Sequence, residues 1–363
     1  MKNKRILIDA RCLTAHMHGI ARVALRFIEN AVRIAPDNSY VVLTGTGTPA
    51  ALLPKAPCLN VETTGTKLYG LAERFVIPRI IKRIAPDLYY SPTCFAPSRA
   101  ACPVVFSIYD LIYISAPSSG SLLRRIYFNT VVKKAAKNAA RVITDSNYVA
   151  RELNSRLGIP EKKIRTVYLG VDESFGDAAK SPDVETPYIL NVSNRFPHKN
   201  TAALLRAFEI LLEKGLRGYK LIVVGEQNAA VRDVAGGERL RPHVELAGHV
   251  DDERLAGLMR GASLFVLPSR YEGFGLPVLE AARAGVPVVA GDNTAVAELF
   301  RDCACLVDMD SPPAIAGAME RILADGEERR RMAARGLEIA KKFSWEKMTR
   351  DVLSVFDEVL EGK

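Results

Sequence analysis

The feature that most constrains this chain is an alternation that runs through it twice. Short runs rich in β-branched and aromatic residues recur between stretches of helical periodicity, at 5–9 (RILID), 40–44, 88–91, 104–109, 141–145 and 164–168. The series then restarts at 188–193, 220–225, 243–248, 263–268 and 286–291. Strands spaced by helices do not pair as hairpins; they assemble into parallel sheets covered by helices. A polar, proline-containing stretch at 177–187, DAAKSPDVETP, separates the two series and has the composition of a linker. At 363 residues the chain is also longer than one hydrophobic core ordinarily supports. The pattern predicts an α/β protein of two doubly wound domains, 1–176 and 188–342, followed by an amphipathic helix in the terminal segment 343–363. Two such domains with a hinge between them leave a cleft at the carboxyl ends of their strands, where ligands bind in folds of this kind.

Charge is divided along the chain. Residues 1–180 hold 26 Lys and Arg against 13 Asp and Glu, a net +13, whereas 181–363 hold 24 against 28, a net −4. A basic half predicts an anionic partner, a phosphorylated acceptor, a membrane surface or nucleic acid, although solvated helix faces give the same excess. The stretches LAERFVIPRIIKRIAP (71–86) and LLRRIYFNTVVKKAAKNAARV (122–142) mix Lys and Arg with large apolar residues. Each reads either as a helix with one face in a core or as a peripheral contact with anionic lipid headgroups. No nucleic-acid module accompanies them, so nucleic acid is not expected.

Six cysteines at 12, 58, 94, 102, 303 and 305 lack any Cys-x-x-Cys pair and read as reduced thiols of a cytoplasmic protein. The apolar run opening MKNKRILIDARC is too short for a signal-peptide core, and no segment approaches the ~20 apolar residues of a spanning helix. The expected location is the cytoplasm, at most peripheral at the inner face of the membrane. His16 and His18 alternate in a loop without a visible third ligand, so no metal is expected.

The densest chemistry lies in SRYEGFGLPVLEAARAGVPVV at 269–289. Gly273 and Gly275 admit backbone angles closed to other residues, and Pro277 suits the first turn of a helix predicted to start near Leu276. The unpaired amides and positive dipole end of such a helix suit a diphosphate. Glu280, four positions in, can accept hydrogen bonds from vicinal hydroxyls such as those of a ribose, and Glu272 just before the turn can reach those of a sugar. The ordinary alternative is a glutamate favouring a helix dipole after a glycine turn. In NVSNRFPHKN (191–200), Lys199 precedes another expected helix and can add its charge to that dipole, unless it is simply a solvated surface lysine.

The 269–289 segment resembles the signature of retaining glycosyltransferases of family 4, in which two glutamates separated by seven residues frame a nucleotide-sugar donor. The resemblance covers most of the chain and implies the two-Rossmann GT-B fold, with the terminal helix crossing back onto the first domain. It also implies donor contacts from Glu272, Gly273, Phe274, Gly275, Leu276 and Glu280, with Gly248 and Val250 beside the base. Lys199 would be the diphosphate cation. The family usually places Arg five residues before this Lys; here Asn194 stands in that position, with Arg195 and His198 as candidate replacements. Gly19, before a helical pattern and near Arg11 and Arg22, matches a Gly-Ile-x-Arg segment of relatives that approaches the donor phosphates, though a plain loop into a helix reads equally well.

Where the family usually reads His-Asp-Leu near the transferred sugar, this chain has Tyr109 and Asp110. Tyr109 offers a hydrogen bond and an apolar face but no base near neutral pH; Asp110 suits a sugar hydroxyl or the capping of a turn.

The resemblance therefore implies a retaining hexosyltransferase, most like bacterial polysaccharide or O-antigen mannosyltransferases, acting on a glycan or lipid-linked glycan acceptor without a cofactor or metal. Tyr109 and Asn194 keep open a non-catalytic nucleotide- or glycan-binding protein of the same fold. The loose Gly-x-Gly-x-x-Ala run GTGTPA at 45–50 keeps open, more weakly, an NAD-dependent oxidoreductase.

Overall fold

The computed structural model describes residues 2–14, 19–70, 72–115, 122–176 and 186–362. Most of the expected linker, and both His16 and His18, lie outside those residues. The chain forms two compact units, passing from the first to the second between Gly170 and Val171 and returning between Phe343 and Ser344. The boundary read from the sequence, after 176, differs by one short turn, Glu173–Gly176. That turn packs within the second unit through buried Phe175 and through Ser174, whose carbonyl accepts from Arg260.

The first unit is built on seven parallel strands. They are β1 (Arg5–Asp9), β2 (Ser39–Gly45), β3 (Leu59–Thr64), β4 (Leu88–Ser91), β5 (Val104–Ser107), β6 (Arg141–Thr144) and β7 (Ile164–Thr166). Their order across the sheet is β3-β2-β1-β4-β5-β6-β7. The inner strands are apolar and buried on both faces, as helices above and below a parallel sheet require. The terminal helix Trp345–Leu360, capped by the Ser344 hydroxyl accepting from Lys347 N at 3.1 Å, belongs to this unit. Phe356 meets Phe27 and Tyr90 edge-on at 5.9 and 5.1 Å, and Glu358 bonds Arg165 and Arg141.

The second unit has six parallel strands, β8 (Tyr188–Val192), β9 (Lys220–Val224), β10 (Val244–Gly248), β11 (Leu264–Leu267), β12 (Val288–Gly291) and β13 (Ala304–Val307). Their order is β10-β9-β8-β11-β12-β13. Each sheet thus reverses its direction of winding once, between β1 and β4 in the first and between β8 and β11 in the second. Such reversals part the loops at the carboxyl ends and open a crevice there.

β3 and β13 have no counterpart in the sequence reading, and both are edge strands. GTGTPA leads from β2 into a single 3₁₀ turn, Ala50–Leu52, rather than a helix. Without a helical array of free amides it lacks the phosphate seat of a dinucleotide site, so the oxidoreductase reading loses its motif.

Candidate functional site

The second unit's reversal point gathers most of the residues singled out in its sequence. After β8 the chain makes a 3₁₀ turn, Pro197–Lys199, passes Asn200 in the left-handed region (φ 53°) and enters the helix Thr201–Glu213. After β11 it runs through Ser269–Glu272 into the helix Leu276–Arg283, where the sequence predicts it. The two loops meet in one ion pair: Lys199 Nζ lies 2.7 Å from Glu272 Oε1, both side chains largely buried. A second link joins them where the Arg270 amide donates to the His198 carbonyl at 2.8 Å.

The glycine turn has a steric basis. Gly275 sits at φ 92°, and a Cβ there would lie 2.8 Å from Val296 Cγ2. Leu276 and Pro277 follow as the first helical residues, and Glu280 is buried within the helix. The Phe274 ring packs edge-on against Phe300 and Phe343 at 6.2 and 5.8 Å, so its side chain belongs to the core. Gly225 approaches closest of all: at φ 100°, a Cβ would fall 2.0 Å from the Ser193 carbonyl oxygen. Its amide donates to the Gly248 carbonyl at 2.6 Å, holding the ends of β9 and β10 together; half-buried Val250 follows.

Several side chains here keep unused hydrogen-bonding capacity. Asn191 donates through Nδ2 to the Val266 carbonyl at 2.8 Å, leaving its buried Oδ1 without a partner. The buried Gln227 Oε1 and Ser269 Oγ are also unpartnered among the described residues. Buried polar atoms of this kind ordinarily find protein or water partners. Asn191, Gln227 and Ser269 escaped the sequence reading; the only signal is a polar residue within or just beyond an apolar strand.

Around the β8 loop, Asn194 Oδ1 accepts from the Phe196 amide at 3.0 Å and shapes the turn. Arg195 reaches Glu226 at 3.7 Å on the exposed side. His198 is buried and stacked on Phe196 with ring centroids 5.9 Å apart. Burial, then the charge of Lys199, lower its pKa to about 4, so it is neutral at pH 7.

In the first unit, Gly19 opens the helix Gly19–Ile34. Tyr109 and Asp110 follow β5, and Asp110 Oδ1 accepts from the Ile112 amide at 3.1 Å, so it does cap the turn. Burial holds the Tyr109 phenol well above its ordinary pKa.

Arg11, read as an aid to donor phosphates, is instead enclosed. It bonds Asp9 twice, at 2.7 and 2.6 Å, and Glu73 at 2.8 Å, while Tyr89 donates to Asp9 at 2.6 Å. Its guanidinium also lies 5.3 Å from the Phe95 ring centroid. Burial outweighs the pull of Arg11 and raises the Glu73 pKa to about 7. Among the described residues no three His, Cys, Asp or Glu side chains cluster as metal ligands.

Family models match both halves: "Glycosyltransferase Family 4" over residues 17–175 and "Glycosyl transferases group 1" over 175–338. The chain is 29% identical over 284 residues to the Escherichia coli "O-antigen chain mannosyltransferase B", covering 74% of each chain. Solved structures share its fold. The Thermosynechococcus elongatus sucrose-phosphate synthase matches with a TM-score of 0.78 at 17% identity, over 99% of this chain and 100% of that one. Anabaena Alr3699/HepE, solved in complex with UDP-glucose, matches with a TM-score of 0.76 at 17% identity, over 98% and 100%. Together the two models span residues 17 to 338: the chain joins a family 4 glycosyltransferase domain to a group 1 glycosyltransferase domain on the GT-B fold, and so belongs to the glycosyltransferases.

Proposed function

We propose that the chain transfers a hexose, mannose by preference, from a nucleoside diphosphate sugar to a hydroxyl of a glycan or lipid-linked glycan in cell-surface polysaccharide synthesis, with retention at the anomeric carbon. The observation that carries this reading is the Lys199–Glu272 pair spanning the reversal point, with buried Glu280 on the helix that starts after Gly275. The relative named for O-antigen mannosyl transfer supports the sugar and acceptor class, and the neighbour solved with UDP-glucose supports a nucleotide-sugar donor.

In this reading Lys199 and the amides at the start of Leu276–Arg283 take the charge that builds on the diphosphate. Glu272 orients a hydroxyl of the transferred sugar, and Glu280 accepts from the ribose. Gly248 and Val250 lie beside the base. The bond from the anomeric carbon to the phosphate oxygen breaks as the bond to the acceptor oxygen forms on the same face, and the acceptor's proton passes to the leaving phosphate. That route needs neither a side-chain base nor a metal. Tyr109, held protonated, and Asp110 act only as hydrogen-bonding groups toward sugar hydroxyls, and Gly19 admits a phosphate near the main chain.

We place the chain in the cytoplasm, at the inner face of the membrane when its acceptor is lipid-linked. Among the described residues no helix is long and apolar enough to cross a membrane.

The test is thermal stability with GDP, UDP, dTDP, ADP and NAD in turn, followed by product analysis with the matching sugar donor. A ligand at 100 times its dissociation constant adds about 2.7 kcal/mol. One nucleoside diphosphate should raise the melting temperature in the wild type and not in Glu280→Ala, and the new linkage should keep the donor's anomeric configuration. Stabilisation by none of them would sink the donor assignment. Binding without transfer to any glycan acceptor would favour the non-catalytic reading that Tyr109 and Asn194 suggest.

A further inference from the structure

Every cation of the two loops at the second unit's reversal point already has a carboxylate. In the loop after β8 these are Arg195, 3.7 Å from Glu226, and Lys199, 2.7 Å from Glu272; in the loop after β11 it is Arg270, 2.5 Å from Asp310. The Arg195 and Arg270 pairs are exposed, whereas the side chains of Lys199 and Glu272 keep only 16% and 12% of their surface. Burial and the charge of Lys199 hold His198 neutral at pH 7, so it adds no cation. An anion entering between these loops therefore has to share Lys199 with Glu272.

Both partners stand on tied backbone. Asn200, next to Lys199, sits at φ 53° and donates through Nδ2 to the Met309 carbonyl at 2.6 Å. The Arg270 amide, two residues before Glu272, holds the His198 carbonyl at 2.8 Å. An ammonium has three N–H donors, so Lys199 can bond a phosphate oxygen while keeping Glu272. The hydrogen bonds can be shared, but the single positive charge then faces two anions. A phosphate oxygen on the open side of Lys199 Nζ lies about 5 Å from Glu272 Oε1. At ~5 Å in a partly buried site, each further unit of like charge weakens binding roughly tenfold.

A nucleoside diphosphate sugar and the nucleotide left after transfer differ in two ways that this carboxylate can read. The outer phosphate of the donor is an ester with one ionisable oxygen. Once the sugar has left it is a terminal phosphate, whose second pKa of about 6 gives it nearly another full charge at neutral pH. The donor also brings sugar hydroxyls, and Glu272 Oε2 has no hydrogen bond among the described residues, so it can accept from one of them.

We infer that Glu272 sets the preference of this site for the intact donor over the spent nucleotide. It accepts from the sugar while the donor is bound. Afterwards, from its place beside Lys199, it opposes the added charge of the nucleoside diphosphate and favours its departure. The inference rests on the donor reading above and deepens it.

The experiment is equilibrium binding, without acceptor, of three ligands on one base: the nucleoside diphosphate, its methyl ester at the outer phosphate, and its hexose ester. Glu272→Gln keeps an oxygen beside Lys199 and removes the charge. It should bind the nucleoside diphosphate about tenfold more tightly than the wild type and the methyl ester about threefold more tightly. The hexose ester should gain nothing, because an amide accepts from a hydroxyl more weakly than a carboxylate does. Glu272→Ser removes the same charge, leaves room for water at Lys199 and should keep the same order; melting without ligand reads the folding of both variants.

A structural role alone would weaken all three ligands together. That parallel loss, or a looser nucleoside diphosphate alone, would mean that Glu272 braces Lys199 for the diphosphate and would overturn the inference. Equal tightening of all three would make Glu272 a general repulsion without preference and overturn it as well. If no nucleoside diphosphate binds the wild type or either variant, the donor reading fails. Binding that Glu280→Ala abolishes and Glu272→Gln leaves unchanged would count against this inference alone.

Discussion

The same place in the two sheets is used in opposite ways. At the reversal between β1 and β4 the first unit encloses Arg11 between Asp9 and Glu73, with Tyr89 bonded to Asp9 across the reversal. The cation and Asp9 spend their bonding within the enclosure, on one another, Glu73, Tyr89 and the Thr66 carbonyl; Glu73 Oε1 has no partner among the described residues. At the reversal between β8 and β11 the second unit has Lys199 and Glu272 in a single pair, with Asn191, Gln227 and Ser269 each keeping a buried atom unbonded. The topology that opens a crevice is common to both, yet in the first unit charge closes it. A reversal point is therefore a location where a site can be built, and the side chains decide whether one is.

The largest effect that would break this comparison is in the first unit. Arg11→Met leaves Asp9 and Glu73 buried without their cation and should cost about 3–5 kcal/mol in urea denaturation. The nucleoside diphosphate shift should survive wherever the protein remains folded. A loss under about 1 kcal/mol would mean the cluster does not hold the fold. Next, Lys199→Met should lower kcat about 10²–10³-fold, with a much smaller loss of stability, because its role lies in charge that develops during transfer. Unchanged kcat would remove Lys199 from the chemistry.

The two units should also respond oppositely to pH. His198 has a folded pKa of about 4 below its ordinary 6.5, so its contribution is complete above 6.5 and is lost as pH falls toward 4. Glu73 has a folded pKa of about 7 above its ordinary 4.5, so its contribution is complete below 4.5 and is lost as pH rises through 7. Each slope should be worth about 1–3 kcal/mol and vanish in His198→Gln or Glu73→Gln, read by melting temperature from pH 4 to 8. The smallest effect is expected for Tyr109→Phe. Loss of one hydrogen bond should cost less than about tenfold in kcat/KM, with no change in its pH profile.

What the sequence made legible follows the distance over which each signal is written. The turn and helix of 269–283 are local: a strand end, Gly275, Pro277 and Glu280 stand in one short segment, and the helix begins at Leu276 as read. The Asp9–Arg11–Glu73–Tyr89 cluster is drawn from three separate segments, so Arg11 looked available although the fold encloses it. Edge strands were lost for another reason. β3, Leu-Asn-Val-Glu-Thr-Thr, is mostly polar, and β13, Ala-Cys-Leu-Val, is a short apolar run that periodicity alone does not distinguish from a turn of buried helix.

The helix Trp345–Leu360 has a consequence for how the molecule comes into being. Its Phe356 completes the aromatic group with Phe27 and Tyr90, yet it is made after every strand of both units. All strands of the second unit leave the exit tunnel before that helix does, so the second unit can finish folding first. The half synthesised first must meanwhile wait with an apolar face uncovered. Until that helix emerges, the nascent chain is most exposed to aggregation and to chaperones in its oldest part.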